Sequence, residues 1–186
     1  MILAAGRGER FGGDKLNSLC AGKPLGHWAL QRASEAGFGT GLVVYSETQT
    51  EFLTGFPSWT IRQIVNPSAQ MSDSLHCAVR YASEVRAEAI LILLADMPLI
   101  DPQHLKILAK QEGVAATLYP DGRTGVPAKI PEQHYSQLLS LHGDRGAASW
   151  LNHLSHLTRM EAPADSLLDV DTPEALAEAE RLLEGA

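Results

Sequence analysis

The chain has only two cysteines, Cys20 and Cys77. They can form at most one bridge and lack metal-ligand spacing, so a disulfide scaffold and a thiolate zinc site are excluded. A reduced, cytoplasmic compartment is the simplest reading. No apolar run approaches the roughly 18–20 residues needed to span a bilayer. The opening MILAAGRGER has no basic segment followed by an apolar core, which speaks against a signal peptide. Excess positive charge is missing too. The formal net charge is −7 and the pI about 5.4, which argues against a broad basic face for nucleic acid. Repeats, low-complexity tracts and long linkers are likewise absent.

What is present is an ordinary globular composition. The 186 residues are 45% hydrophobic and 20% charged, enough for one α/β domain with a substantial core and too few for two full domains. An acidic protein that binds a small anion needs a local basic focus. One exists near the N-terminus, where Arg7, Arg10, Lys15 and Lys23 outnumber Glu9 and Asp14.

Apolar, β-branched runs alternate with segments of helical period. Residues 1–5 read as a short strand followed by a glycine-rich loop. Trp28, Ala29, Ala33 and Ala36 mark a helix stopping at Gly37. Strands are expected at 41–46 and 60–65, and a helix starts near Ser72 or Asp73, carrying Leu75, Ala78, Val79 and Ala82. The uninterrupted run at 89–95, AILILLA, is expected of a central parallel strand covered on both faces. A helix near 102–111 and a strand near 114–119 follow. PDGRTGVPAKIP, residues 120–131, reads as a turn and a short extended piece at an antiparallel edge. Helices at 132–141 and 146–152, a strand near 156–161 and a closing helix from Pro173 to about Glu184 complete the pattern. Such alternation predicts a doubly wound, mostly parallel sheet, with a small antiparallel element in the C-terminal half. Ligands in these sheets sit at the carboxyl ends of strands. The residues after strand 1 and after strand 89–95 are therefore the places to look.

The loop after strand 1, from Leu3 to Lys15, lacks the Gly-Lys-Ser/Thr ending of a P-loop. It also has Phe11 where a dinucleotide fingerprint needs its third glycine. Its backbone amides, with Arg10 and Lys15, suit a triphosphate. A solvated surface loop is the bland alternative. Asp96, at the end of an apolar strand, needs a partner, and Mg²⁺ bridging phosphate oxygens is a natural one. Capping the helix after Pro98 is its ordinary alternative. In Asp171-Thr172-Pro173-Glu174, Asp171 or Thr172 reads as a helix N-cap, with Glu174 completing a capping box. Ser72, Asp73 and Ser74 open a helix and read as caps, and Asn66 before Pro67 as a turn former. His153 and His156 share a helical face without other ligands. Trp28, Trp59 and Trp150 read as packing residues.

LAAGRGERFGGDKL resembles the signature of the MobA-like nucleotidyltransferases, most closely the molybdenum cofactor cytidylyltransferase branch. GKPL at 22–25, NPSAQMSDSL at 66–75, LADMPLI at 94–100 and DVDTPEAL at 169–176 follow in the family's order, and LHGDRGA at 141–147 resembles that branch's late motif. Two departures stand out: Phe11 replaces a common Met, and the first strand is unusually short or lacks its beginning. The resemblance implies a Rossmann-like nucleotidyltransferase fold, with an NTP-binding half over 1–100 and an acceptor-binding half over 101–186. It implies that Leu3, Ala4, Ala5 and Gly6 contact the nucleotide through their backbone, that Arg10 and Lys15 bind phosphates, and that Ser74 touches the nucleotide. Asp96 and Asp171 become Mg²⁺ ligands, with Asp169 the second choice to Asp171, while Asp144 and Arg145 face the acceptor.

The activity implied is transfer of CMP from CTP to the phosphate of molybdopterin. Ala5 stands where related guanylyltransferases carry Gly, and its methyl shrinks the base pocket, although one methyl supplies only about 1–3 kcal/mol of discrimination. Guanylyl transfer to molybdopterin, or nucleotidyl transfer to another phosphorylated acceptor, is the alternative within the class. A molybdoenzyme or its chaperone is the further partner implied, and a non-catalytic molybdenum cofactor carrier or chaperone is the alternative outside the class.

Overall fold

A computed structural model describes residues 1–5, 11–46, 51–64, 70–143 and 146–185. In chain order the elements are β1 (Ile2–Ala4), β2 (Leu19–Cys20), β3 (Lys23–Pro24), α1 (Leu25–Glu35), β4 (Gly41–Tyr45), β5 (Trp59–Gln63), α2 (Met71–Glu84) and β6 (Ala89–Leu94). Then come α3 (Pro102–Lys110), β7 (Ala115–Leu118), β8 (Thr124–Pro131), α4 (Tyr135–Leu139), α5 (Ala147–Leu151), β9 (Thr158–Glu161) and α6 (Pro173–Glu184). Single 3₁₀ turns lie at Glu51–Leu53, Glu132–His134 and Ala164–Leu167.

Seven strands form one sheet in the order β5-β4-β1-β6-β8-β7-β9, and only β8 runs against its neighbours. This is the doubly wound, mostly parallel Rossmann-like sheet that the alternation predicts. Alternate side chains of the strands enter opposite layers, as the strand period of two requires. Ile2, Val43 and Leu93 pack with Ala29, Leu30 and Leu105 of α1 and α3. Ile90 and Ile92 pack with Leu75 and Val79 of α2, Leu138 of α4 and Leu151 of α5 on the other face. No helix among the described residues is long and apolar enough to cross a membrane.

The antiparallel strand differs from its expected position. β8 is no edge: it lies inside the sheet, paired with β6 on one side and β7 on the other. Pro127, which argues for an edge, is accommodated by a register shift, because Ala116 faces Ala128 while Thr117 faces Gly125. The bulge lifts Val126 and Pro127 out of the β7 ladder, so the missing proline N–H costs no bond there.

The β2–β3 hairpin is a separate two-stranded sheet beside α1 and α6. Ala21 and Gly22, with φ of 48° and 75°, make the two-residue turn of the β2–β3 hairpin. The hairpin packs on the C-terminal helix through Cys20, Leu25, Val170 and Ala179, and Glu180 accepts the Ala21 N–H at 2.9 Å. The tail of the chain is thereby tied to the segment that follows strand 1.

Candidate active site

The site begins with β6. Its apolar residues bury the strand, and Asp96 emerges two positions past its last residue, Leu94. The loop that follows is anchored by Met97 and Ile100, each 1% exposed. Asp101, not Asp96, caps α3, accepting the N–H groups of Gln103 at 3.0 Å and His104 at 3.3 Å. The bland role open to Asp96 is therefore filled by another residue.

The tail segment meets Asp96 through its backbone. Val170 is fully buried, and its N–H donates to the Asp96 carbonyl at 3.0 Å. Thr172 is the N-cap of α6, accepting from the Ala175 N–H at 3.2 Å, which leaves Asp171 free of capping. Asp96, Asp169 and Asp171 each bring a carboxylate oxygen within 4.8 Å of the other two.

Lys15 comes from the opposite end of the sequence. Its turn is held by Ser18 N–H to the Lys15 carbonyl, by Ser18 Oγ to the Asp14 carbonyl, and by Asn17 Nδ2 to both Asp14 carboxylate oxygens. Asn17 Oδ1 also accepts the Phe52 N–H, pinning this turn to the 3₁₀ turn at Glu51–Leu53. The Lys15 ammonium donates to Asp96 Oδ2 at 2.7 Å and to Asp171 Oδ1 at 3.0 Å, bridging residues 81 and 156 positions away in sequence.

Burial alone would lower the Lys15 pKa, but attraction to Asp96 and the bonds to both aspartates outweigh it and hold the pKa raised. Asp169 reaches solvent on one side and is enclosed by protein on the other. That enclosure, the charges of Asp96 and Asp171, and the hydrogen bond a protonated Asp169 would donate to Asp96 push its carboxyl up to about 7. Asp96 Oδ1 is buried without a hydrogen-bond partner among the described residues. Three hard oxygen donors and one orphaned buried carboxylate oxygen fit a divalent cation of the Mg²⁺ type.

Around this cluster, Leu3 lends its carbonyl to Ala95 N–H at 3.0 Å, which locks β1 to the residue before Asp96. Ala4 ends β1, and Ala5 is the first residue beyond it. Ser74 is buried in the first turn of α2, whose N-cap is Gln70 with Asp73 completing the capping box. The loop of the late motif docks on that same helix start: the Gly143 carbonyl accepts the Ser72 N–H at 3.1 Å. Gly6, Arg10, Asn66, Asp144 and Arg145 lie outside the described residues.

Two residues have no reading of their own in the sequence: Asp101, although Asp-Pro is an N-cap signal, and Tyr119. Tyr119, whose hydroxyl donates to the Val126 carbonyl at 2.5 Å, is pushed up to about 12 by burial and by the negative charge of Asp169. His153 and His156 join no metal group among the described residues. Trp28 packs at α1 with its indole N–H on the Cys20 carbonyl, and Trp59 is buried in the core.

A lysine and three carboxylates thus meet beyond the ends of β1 and β6, the side of a doubly wound sheet where ligands bind. Residues 1–159 match the MobA-like NTP transferase domain, and the chain belongs to that family. It is a nucleotidyltransferase.

Among curated proteins, the purine catabolism protein PucB of Bacillus subtilis is 28% identical over 94% of this chain and 91% of its own. The bifunctional protein GlmU of Sorangium cellulosum is 31% identical over 56% of this chain, a match spanning only 24% of that relative's length. Among solved structures, the Rv0371c homolog from Mycobacterium sp. strain JC1 superposes with a TM-score of 0.82 at 26% identity, covering 97% and 96% of the two chains. Mycobacterium tuberculosis Rv0371c in complex with manganese gives a TM-score of 0.77 at 23% identity, over 100% and 97%. The molybdopterin-guanine dinucleotide biosynthesis protein A of Archaeoglobus fulgidus gives 0.74 at 20%, over 100% and 98%.

Proposed function

We propose that this enzyme transfers CMP from CTP to the phosphate of molybdopterin, with Mg²⁺ held by Asp96 and Asp171 and with Asp169 beside them. The observation that carries the reading is the convergence of Asp96 and Asp171 on one point, bridged by the Lys15 ammonium at 2.7 and 3.0 Å. That a structural neighbour is known as a manganese complex supports the use of a divalent cation. The molybdopterin-related name of another neighbour supports the acceptor, as does the resemblance of LHGDRGA to the cytidylyltransferase branch.

The reaction is an in-line displacement in which an acceptor phosphate oxygen attacks the α-phosphorus and pyrophosphate leaves. The acceptor brings its own nucleophile, so the protein acts by positioning and by charge. A bound divalent ion would supply charge neutralisation for the α-phosphate and the leaving pyrophosphate. Arg10 and Lys15 add positive charge from the loop after β1. Ala5, at the mouth of that strand, narrows the space for the base and favours a pyrimidine. Ser74 and the start of α2 line the nucleoside side. Asp144 and Arg145 are assigned to the acceptor by the resemblance of LHGDRGA to the family's late motif.

Melting temperature with each of four NTPs, with and without Mg²⁺, tests the base assignment, since a ligand that binds only the native state raises it. CTP with Mg²⁺ should give the largest rise. A rise with GTP and none with CTP would reverse the assignment. Pyrophosphate release on adding molybdopterin then tests the acceptor.

A further inference from the structure

We propose that Lys15 is the resident counter-ion of the carboxylate cluster in the nucleotide-free enzyme, competing with the divalent cation for Asp96 and Asp171 until a triphosphate draws its ammonium away. This rests on the reading of the cluster as the cation site and adds an order of events to it.

The geometry is that of a built-in substitute cation. The Lys15 side chain is 5% exposed, and its ammonium spends its bonds on Asp96 Oδ2 and Asp171 Oδ1. Burying a flexible ammonium costs rotamer entropy and solvation, so it stays only where carboxylates compensate both. Those two oxygens are also donors a divalent ion would take. A small hard cation binds carboxylate oxygen at about 2.0–2.1 Å. An ammonium already 2.7 Å from the same Oδ2 would then face a doubly charged neighbour within a few ångströms.

Lys15 cannot satisfy the whole cluster. Asp96 Oδ1 remains buried without a donor among the described residues, and Asp169 stays crowded by its two acidic neighbours. A divalent ion has the charge to compensate these groups that one ammonium lacks. Once displaced, the ammonium needs an anion, and the triphosphate on the loop that carries Lys15 offers one. Cation and nucleotide must then raise each other's affinity beyond their direct chelation, because each relieves what opposes the other.

The test is Mn²⁺ binding to the nucleotide-free enzyme, read by electron paramagnetic resonance. Lys15→Met should bind Mn²⁺ at least about tenfold more tightly than wild type, equivalent to ~1.4 kcal/mol. Equal or weaker binding by a folded Lys15→Met, with Asp96→Ala still abolishing it, leaves the cation site standing and overturns the competition. If no variant binds Mn²⁺ at the cluster, the cation-site reading falls and takes the proposal with it.

A measurement on wild type decides the matter if Lys15→Met does not fold. Reductive methylation of Lys15, followed by mass spectrometry, should accelerate when Mn²⁺ alone is added, because displacement exposes the amine. An unchanged or slower rate at saturating Mn²⁺ would show that the ammonium stays in place, and would refute the proposal.

Discussion

Asp171 and Thr172 are adjacent, yet they should fail in opposite ways. Thr172 caps α6 through its hydroxyl, and Thr172→Ala removes the bond to Ala175 N–H. Loss of such a cap costs ~1 kcal/mol. For a chain of 186 residues that is a fall of roughly 2–4 °C in melting temperature. Asp171→Ala leaves the cap intact and removes one of the two partners of Lys15 among the described residues. The Asp171 side chain is 51% exposed and Lys15 keeps Asp96 at 2.7 Å, so solvent screening holds the loss below ~1 kcal/mol. Relief of repulsion with Asp169 offsets part of even that. Turnover should separate the two variants far more widely. Thr172→Ala should keep most of its activity, whereas Asp171→Ala should lose about 10²–10³ in kcat, as when a group stabilising transition-state charge is deleted. Differential scanning fluorimetry and a pyrophosphate-release assay on the same preparations give both numbers. If Asp171→Ala melts early and turns over normally, Asp171 is structural and the reasoning is wrong.

Gly26 sits against a fully packed neighbour: a Cβ there would stand 2.8 Å from Phe52 Cδ2 and 2.9 Å from its Cγ, with Phe52 1% exposed. Gly26→Ala should cost about 1–3 kcal/mol in denaturant unfolding, and Phe52→Leu in the same chain should recover part of it. His104 is buried, and its ring Nε2 lies 2.8 Å from Thr117 Oγ1. Burial lowers its pKa against a smaller raising effect of Asp101. The unfolded chain then takes up a proton that the native state resists, so stability should fall as pH drops below about 6.5. His104→Gln should flatten that part of the unfolding-versus-pH curve, and an unchanged curve would remove His104 as its cause.

The sheet was legible because its signals are long and of one period. AILILLA reads as a buried strand and is one, and the closing helix is read from Pro173 to Glu184, where α6 lies. The internal placement of β8 was not legible. Pro127 argues for an edge, and only the pairing partner reveals the bulge that tolerates it. The β2–β3 hairpin was hidden for a different reason. Its strands are two residues each, and its turn places Ala21 at positive φ, where Asn or Gly is the usual signal. At the site, the meeting of Asp96 with the tail was anticipated from family motifs, because no local pattern encodes a contact between β6 and residue 171. Asp169 was visible as one of two alternating acids, but its crowding by both neighbours is a property of the folded cluster. The placement of Lys15 on the aspartates had no sequence signal at all, since its spacing fits phosphate as well as carboxylate.

The measurement that bears most directly on the account is pyrophosphate release from CTP and molybdopterin in Mg²⁺, comparing wild type with an Asp96→Ala variant shown to be folded by its circular dichroism. Wild type should turn over, and the variant should lose at least about 10² in rate. An Asp96→Ala enzyme that releases pyrophosphate at the wild-type rate would contradict the account.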